Sequence, residues 1–494
     1  MNETKPKIDR KRSHAHRREF TERKKAASIR REMFAESAIP EESRAIIEKF
    51  DEIVASVRNL SGKQKVALYG HVKNLSHQLT DERSSRRLGY MNEAASISAY
   101  ISYFMWWNLV RMTRLFANLP KTAFESLVKS EKPVALDVGS GTLTVVIALW
   151  LARPELRSKK ISWYCLDLSQ TALAAGEDLY YAIAAKTIKD TEGESLPLAP
   201  IPLTTPEKSE QALPSPLRSG ISATPSPGAA PQAPLDPWNI IRVKGALGTS
   251  IKEKADFISC ANVFNEIIQH NEQPTDFLAK KYTGELLSYL KDGESSVLLV
   301  EPGDPHSARF LSLMRDSLIR KDFTPIAPCP HAENCPMAGR TNGRTTNAQG
   351  KNAKWCNFAF ETESAPSRLL KFSEKAGLAK ERASLSFIIS KKSALARKSD
   401  GLRQSALARQ SERYRQSELD SDSPAQKTFI RIASDFIRLP DLHKSGYYAC
   451  SEYGLLLAID ESHIQPKNGE LLQIKSPGNL DEIDKKSGAI IVKI

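Results

Sequence analysis

The apolar positions change rhythm along the chain. From residue 34 to about 130 they recur at helical spacing, as in "IIEKFDEIVASV", and no strand-like alternation interrupts them. That spacing predicts an all-helical N-terminal domain over 34–130. Its most apolar stretch, "ISAYISYFMWWNLVRMTRLFANL", is broken by Asn108 and Arg111 before it could span a bilayer, so it reads as a buried amphipathic helix. Beyond residue 131 short apolar runs take over: "PVALDV", "ISWYCLDL", "ADFISCANVF" and "SSVLLVEPG", separated by helical segments. Buried strands alternating with helices predict a parallel α/β sheet over 131–392. Past 427, "TFIRIASDFIRL", "GYYACSEYGLLLAID" and "GAIIVKI" read as strands of a small β-rich C-terminal region, 427–494.

Two stretches have no such pattern. Residues 190–237 are dense in Pro, Ser, Ala and Thr and are expected to be a disordered insert. Residues 393–426 are polar and basic and read as a linker that could form a charged helix.

Charge sharpens this layout. The net charge is +13, but residues 1–31 hold twelve Lys/Arg against four acids and residues 391–415 hold eight against two. The remainder is close to neutral, so the basicity belongs to an N-terminal arm (1–33) and the linker, a distribution suited to a polyanion such as RNA. The N-terminal residues show no apolar signal region, and six cysteines in 494 residues do not make a disulfide scaffold. A cytoplasmic protein without membrane contact is the expectation. Oligomeric state leaves no trace in the sequence.

The first motif with chemistry is "VALDVGSGTLTVVIALWLA", a strand, a tight turn and a helix. Gly139, Ser140 and Gly141 form a turn whose backbone can approach a ligand, because no Cβ intervenes at the glycines. The following helix start offers free N–H groups. Asp137 precedes the turn, placed to hold an ammonium or ribose. Asp167 closes the next strand, placed to accept from ribose hydroxyls. This set is similar to the cofactor-binding turn of class I S-adenosylmethionine-dependent methyltransferases, with Leu143 standing where a third glycine is usual. Asn262, Asn265 and Glu266, after the strand "FISCANVF", lie where a substrate pocket would open, and Glu301 ends a further strand. The Asn/Asp-Pro-Pro-aromatic motif that grips a base amino group is missing there, and no residue stands out as a methyl-transfer base.

The second motif is "IAPCPHAENCPMAGR", a proline-rich loop within 325–360 that also includes Cys356 in "KWCNF". Cys329, Cys335 and Cys356, with Cys450 in the C-terminal region, are soft ligands suited to zinc or an iron–sulfur cluster. A bound metal would order a loop that has little else to order it. His331 offers a nitrogen for a Cys3His zinc site, whereas Cys165 and Cys260 lie in apolar strands and read as core.

Together "PCPHAENCPMAG", "KWCNF" and "RIASDFIRLPDLHKSGYYACSEYG" resemble the signature of the methyltransferase-like small-ribosomal-subunit assembly family, which has mitochondrial, yeast and bacterial members. The glycine turn, "VEPGDP" and "AYISYFMWWNLVRM" fall in that family's order, and the resemblance covers about residues 80–460 outside the two inserts. It implies a class I methyltransferase-like Rossmann sheet binding S-adenosylmethionine, and a [4Fe–4S] cluster on Cys329, Cys335, Cys356 and Cys450, with zinc as the alternative. It implies small-subunit rRNA and the assembling small ribosomal subunit as partners. Methyl transfer to that rRNA is one expected activity, and a binding module that has lost the chemistry is the other. The chain departs from the family pattern at Asn357, where histidine is usual, and beyond residue 460.

Overall fold

A computed structural model describes residues 29–80, 90–192, 236–268, 271–337, 354–392, 427–439 and 444–494. The first 28 residues of the basic arm, most of the 190–237 insert, the 393–426 linker and residues 338–353 of the cysteine loop lie outside them.

Among the described residues fifteen strands form two sheets. In chain order they are β1 (Arg30–Arg31), β2 (Val134–Val138), β3 (Ser162–Asp167), β4 (Asn239–Lys244), β5 (Phe257–Ala261), β6 (Ser296–Glu301), β7 (Phe323–Ala327), β8 (Phe358–Glu361) and β9 (Arg382–Lys392). They continue with β10 (Lys427–Ile432), β11 (Ile437–Leu439), β12 (Lys444–Ser451), β13 (Gly454–Ile459), β14 (Leu471–Lys475) and β15 (Ile490–Lys493). The larger sheet runs β4-β3-β2-β5-β6-β9-β7, with β8 paired to β9. Its strands from β4 to β6 are parallel, and β9 enters antiparallel between β6 and β7. That order, with the chain reversing direction at β2, is the class I methyltransferase fold; its ligand crevice lies at the carboxyl ends of β2 and its neighbours.

Both faces of this sheet are covered, so its strands alternate between two apolar environments. Ala135, Trp163, Cys165, Phe257, Leu298 and Val300 face the N-terminal helices, while Leu136, Tyr164, Ile258, Cys260, Val297 and Leu299 face the helices Thr275–Ser288 and Pro305–Ile319. The N-terminal helices share one core with the sheet, because the run Trp106–Asn118 buries Trp106, Trp107, Leu109, Met112, Leu115 and Phe116 at once. Trp106 Nε1 donates to the Ile47 carbonyl (2.9 Å) and Trp107 Nε1 to Ser373 Oγ (3.1 Å), so neither ring buries an unpaired donor. Full burial of each such ring contributes about 2–3 kcal/mol.

The helical run before it contains a π-helical segment, Tyr100–Met105. Wider turns of this kind concentrate at functional sites. None of the described helices is long and apolar enough to cross a membrane.

The second sheet runs β1-β14-β10-β12-β13-β15, with β11 on β12. Its core is Ile430, Ile432, Ala449, Leu456, Ala458, Leu472 and Ile474. Arg30 and Arg31, expected within the basic arm, form its edge strand: Arg30 pairs with Glu470 (2.5 Å), and β1 lies antiparallel to β14.

Candidate cofactor cleft and cysteine corner

The glycine turn is held from below. Gly139 N and Ser140 N both donate to the Leu166 carbonyl (2.8 and 3.1 Å), and Ser140 Oγ donates to the Asp137 carbonyl (2.9 Å). Gly139 and Gly141 have φ of 68° and 50°, conformations that favour glycine. A Cβ on Gly139 would stand 2.1 Å from Val263 Cγ2, whereas one on Gly141 would meet nothing within 4 Å. The turn therefore packs on one side and opens on the other. Leu143, at the position of the missing third glycine, takes the left-handed conformation itself (φ 57°) and is fully buried.

Asp137, Gly139, Ser140, Gly141 and Asp167 thus converge. Asp137 is 1% exposed; its Oδ1 accepts from Ser259 Oγ (2.6 Å) and its Oδ2 has no partner. Burial pushes its carboxyl up to about 7, with the nearby Asp167 charge adding to the rise. Asp167, expected to face a ribose, already accepts from Gly141 N (2.9 Å) and Ser169 N (2.8 Å), one on each oxygen, so its remaining lone pairs are what a ligand would meet. Burial raises its carboxyl as well.

The mouth of the cleft is formed after β5. Asn262 sits in the left-handed region (φ 57°), and Glu301 at the end of β6 accepts from Val263, Phe264 and Asn265 N–H groups (3.0, 2.9 and 3.1 Å). Glu301 is thereby a backbone anchor for this loop. Burial lifts its carboxyl to about 8 against the pull of those three amides.

Thr142 Oγ1, in the turn itself, and Asn265 Oδ1, in the loop that Glu301 anchors, are likewise buried without a partner. Buried polar atoms are ordinarily paired, so Asp137 Oδ2 and Thr142 Oγ1 at one glycine turn fit a polar ligand with donors of its own. Asp137 Oδ2 suits a cation or a hydroxyl, which is the chemistry of an S-adenosylmethionine amino-acid or ribose group.

Sequence reasoning missed the opposite wall. Tyr100, on the π-helical segment, lies near Asn108 and within electrostatic reach of Glu266 and Asp167; burial, then Glu266, pushes its phenol up to about 12. Arg111 donates to Asn108 Oδ1 and to the Ser384 carbonyl (2.7 Å), fixing that group. The two polar breaks in an apolar helix, Asn108 and Arg111, were the available signal. Gly176 was missed too: a Cβ there would lie 2.4 Å from the Thr142 carbonyl carbon, so this glycine lets the helix Gln170–Glu192 press on the turn.

The cysteine corner lies on the other side of β6. Cys329, Cys335 and Cys356 are half-buried and Cys450 is buried, and the four thiols are close enough to act on one another electrostatically. Burial first, then Cys329 and Cys335, pushes the Cys356 thiol far up; burial first, then the other three, does the same at Cys450. Two guanidinium groups, Arg315 and Arg431, supply the opposite charge and also knit the loop. Arg315 donates to Cys329 Sγ (3.1 Å) and to the carbonyls of His331 and Glu333 (2.9 and 2.8 Å). Arg431 donates to the carbonyls of Pro328 and Gly469 (both 2.8 Å). His331 Nε2 lies 3.0 Å from Cys450 Sγ, and burial with Arg315 lowers its imidazole to about 4. Among the described residues no three His, Cys, Asp or Glu donors close on a single point as one bound ion requires. Trp355 Nε1 and Asn357 Nδ2, flanking Cys356, both donate to the Gly303 carbonyl (3.0 and 3.2 Å). Cys165 and Cys260 are buried between the sheet and its helices.

Residues 242–411 match a family described as "Mitochondrial small ribosomal subunit Rsm22". The match takes in β5, β6 and the cysteine loop but ends short of the glycine turn and of Cys450. The resemblance read from the sequence is borne out over that stretch, about a third of the chain. No curated protein matches. Among solved structures, a precorrin-6y C5,15-methyltransferase from Geobacter metallireducens is 10% identical, covering 55% of this chain and 86% of its own at a TM-score of 0.27. A candidate RNA methyltransferase from Pyrococcus horikoshii is 10% identical (69% of this chain, 97% of that one, TM-score 0.27). A methyltransferase from Geobacter sulfurreducens with S-adenosyl-L-homocysteine is 12% identical (55% and 90%, TM-score 0.24). Likenesses this distant carry no argument, and the fold rests on the strand order.

Proposed function

We propose that the protein is an assembly factor of the small ribosomal subunit that binds rRNA and keeps an S-adenosylmethionine pocket at its glycine turn. The match of residues 242–411 to the Rsm22 family carries this reading. The family's description is mitochondrial, which gives no support to the cytoplasmic compartment expected from the sequence.

When bound, S-adenosylmethionine supplies an activated methyl group. The chain's part is to hold and orient. Asp137 Oδ2 and the open side of Gly141 would receive the donor, and Asp167 fixes the turn. Tyr100 and Glu266 would border the incoming substrate.

The cluster belongs to the same proposal. Four soft donors gathered beside Arg315 and Arg431 suit a [4Fe–4S] cubane, whose thiolates sit farther apart than those on one zinc ion. Cys329, Cys335, Cys356 and Cys450 would be its ligands; zinc is the alternative. Its role would be to tie the loop to β12.

A second reading is favoured by how fully the cleft carboxylates are occupied: Asp167 and Glu301 spend their oxygens on backbone amides. On that reading the fold binds and positions without transferring a methyl group. Gradient sedimentation of the tagged chain from cells, paired with calorimetry on S-adenosylmethionine, tests both. Co-migration with small-subunit precursors together with donor binding is expected. Co-migration without donor binding leaves the binding module, and absence from those particles sinks the proposal.

A further inference from the structure

The second sheet has a face that its own core does not explain. Alternation along β10 sends Ile430 and Ile432 inward and Lys427, Phe429 and Arg431 to the opposite side. On β14 the same alternation buries Leu472 and Ile474 and places Gln473 and Lys475 beside them, Phe429 opposite Gln473 and Lys427 opposite Lys475. Arg31 of β1, opposite Leu471, continues this face to the edge. The inner end is closed by the cysteine loop, through Arg431 on the Pro328 carbonyl. The outer end is open: Phe429 is 36% exposed, and Lys427, Lys475 and Arg31 are exposed.

Two features of this face suit a polyanion that carries flat rings. Lys427 and Lys475 stand directly opposite one another on β10 and β14 and concentrate positive charge there. Phe429, on the same face, keeps part of its ring exposed beside them. Beside the ring lies a cavity of about 220 Å³ bordered by Pro330, His331, Glu333, Phe429 and Glu452. That is below the roughly 300 Å³ at which pockets for drug-sized ligands begin, a size suited to one flat ring. An exposed aromatic flanked by cations is the arrangement that stacks a base and neutralises the phosphates on either side.

Topology adds charge. Residues 1–28 hold ten Lys/Arg against four acids, and they enter the fold at β1, the strand beside β14. The 393–426 linker, which enters at β10, brings no such excess to this edge, since Glu418, Asp420 and Asp422 precede Lys427.

We infer that the outer face of β1, β14 and β10 is a single-stranded RNA platform, with Phe429 stacking one base and Lys427, Lys475 and Arg31 holding its neighbouring phosphates. This rests on the RNA-binding reading above and names the surface that would carry it.

The test is fluorescence anisotropy of a labelled oligouridylate with the full chain across a potassium chloride series. Phe429→Ala should weaken binding roughly tenfold with an unchanged salt slope, and Phe429→Trp should restore it. Lys427→Gln with Lys475→Gln should flatten the slope by roughly 1.4, two phosphate contacts at about 0.7 each. Lys475→Gln alone should not lower the melting temperature, since its side chain is exposed; loss of affinity with a retained melting point therefore reports on RNA rather than on folding. Steep salt-dependent binding by the wild type that all variants retain would overturn this surface and leave the RNA-binding reading standing. The face would then be covered by something else, the acidic stretch Glu418–Asp422 being the polyanion nearest in the chain. No binding by the wild type would overturn both.

Discussion

The glycine cleft and the cysteine corner treat their buried polar groups in opposite ways. In the cleft Asp167 and Glu301 take up backbone amides, and side-chain oxygens are left over: Asp137 Oδ2, Thr142 Oγ1 and Asn265 Oδ1. In the corner two guanidinium groups take up the carbonyls of Pro328, His331, Glu333 and Gly469, and what is left over is sulfur. A site keeps unspent the chemistry its ligand needs. Hard oxygens in one place and soft thiols in the other would suit two different guests, and the metal and donor of the proposed function are matched to them in that way.

The largest effect that would break this contrast is expected at Arg315. Arg315→Ala removes donors from two carbonyls and one sulfur, and the Arg315 side chain is itself buried, so it should cost about 3 kcal/mol or more in urea unfolding. Arg315→Lys should recover little of it, because the planar fork is lost. Metal analysis sharpens the corner's side: about four iron and four sulfide per chain after anaerobic purification, lost in Cys356→Ser, against one zinc if the corner is a zinc knuckle. A fully folded protein with no metal at all would remove the distinction between the two sites.

Next in size comes Gly176→Ala. The added methyl meets backbone at 2.4 Å, which cannot yield as a side chain could, so about 1–3 kcal/mol of stability should go, together with donor binding in calorimetry. Unchanged stability would mean that the helix does not press on the turn.

The smallest effect is the titration of Asp137. Its folded carboxyl is raised to about 7, above its value in the unfolded chain, so the folded state holds the extra proton between roughly pH 4 and 7. Stability is then greatest below that window and declines as pH rises through it. Asp137→Asn should flatten this part of the stability–pH curve relative to wild type; Glu301, raised to about 8, leaves a residual slope in both. Parallel curves would show that Asp137 is not the group responsible.

Much of the cleft was legible because its logic is local. Gly139, Gly141 and the acids at the ends of β2 and β3 sit within thirty residues of one another, at spacings the strand–turn–helix unit imposes. The four cysteines stood out through the proline-rich loop and the motifs of the family resemblance. Their partners were not: Arg315 looks like an ordinary helix arginine and Arg431 like an ordinary strand arginine, and only tertiary packing turns both inward. The π-helical segment was hidden for a similar reason, since apolar spacing does not tell a wider turn from an α-helical one over six residues. β1 was hidden by its brevity, two arginines with no apolar period to announce a strand. Asn357, a departure from the family's histidine, has a role that no alignment of ligands would reveal, since it holds a carbonyl.

That carbonyl belongs to Gly303, which follows Glu301 by two residues. Trp355 and Asn357 grip it from the cysteine side, while Glu301 grips the Val263–Asn265 loop on the cleft side, and Val263 leans on Gly139. The end of β6 thus carries contacts to both sites. By thermodynamic reciprocity, whatever free energy a guest at one site spends in setting that strand end alters the other guest's affinity by the same factor.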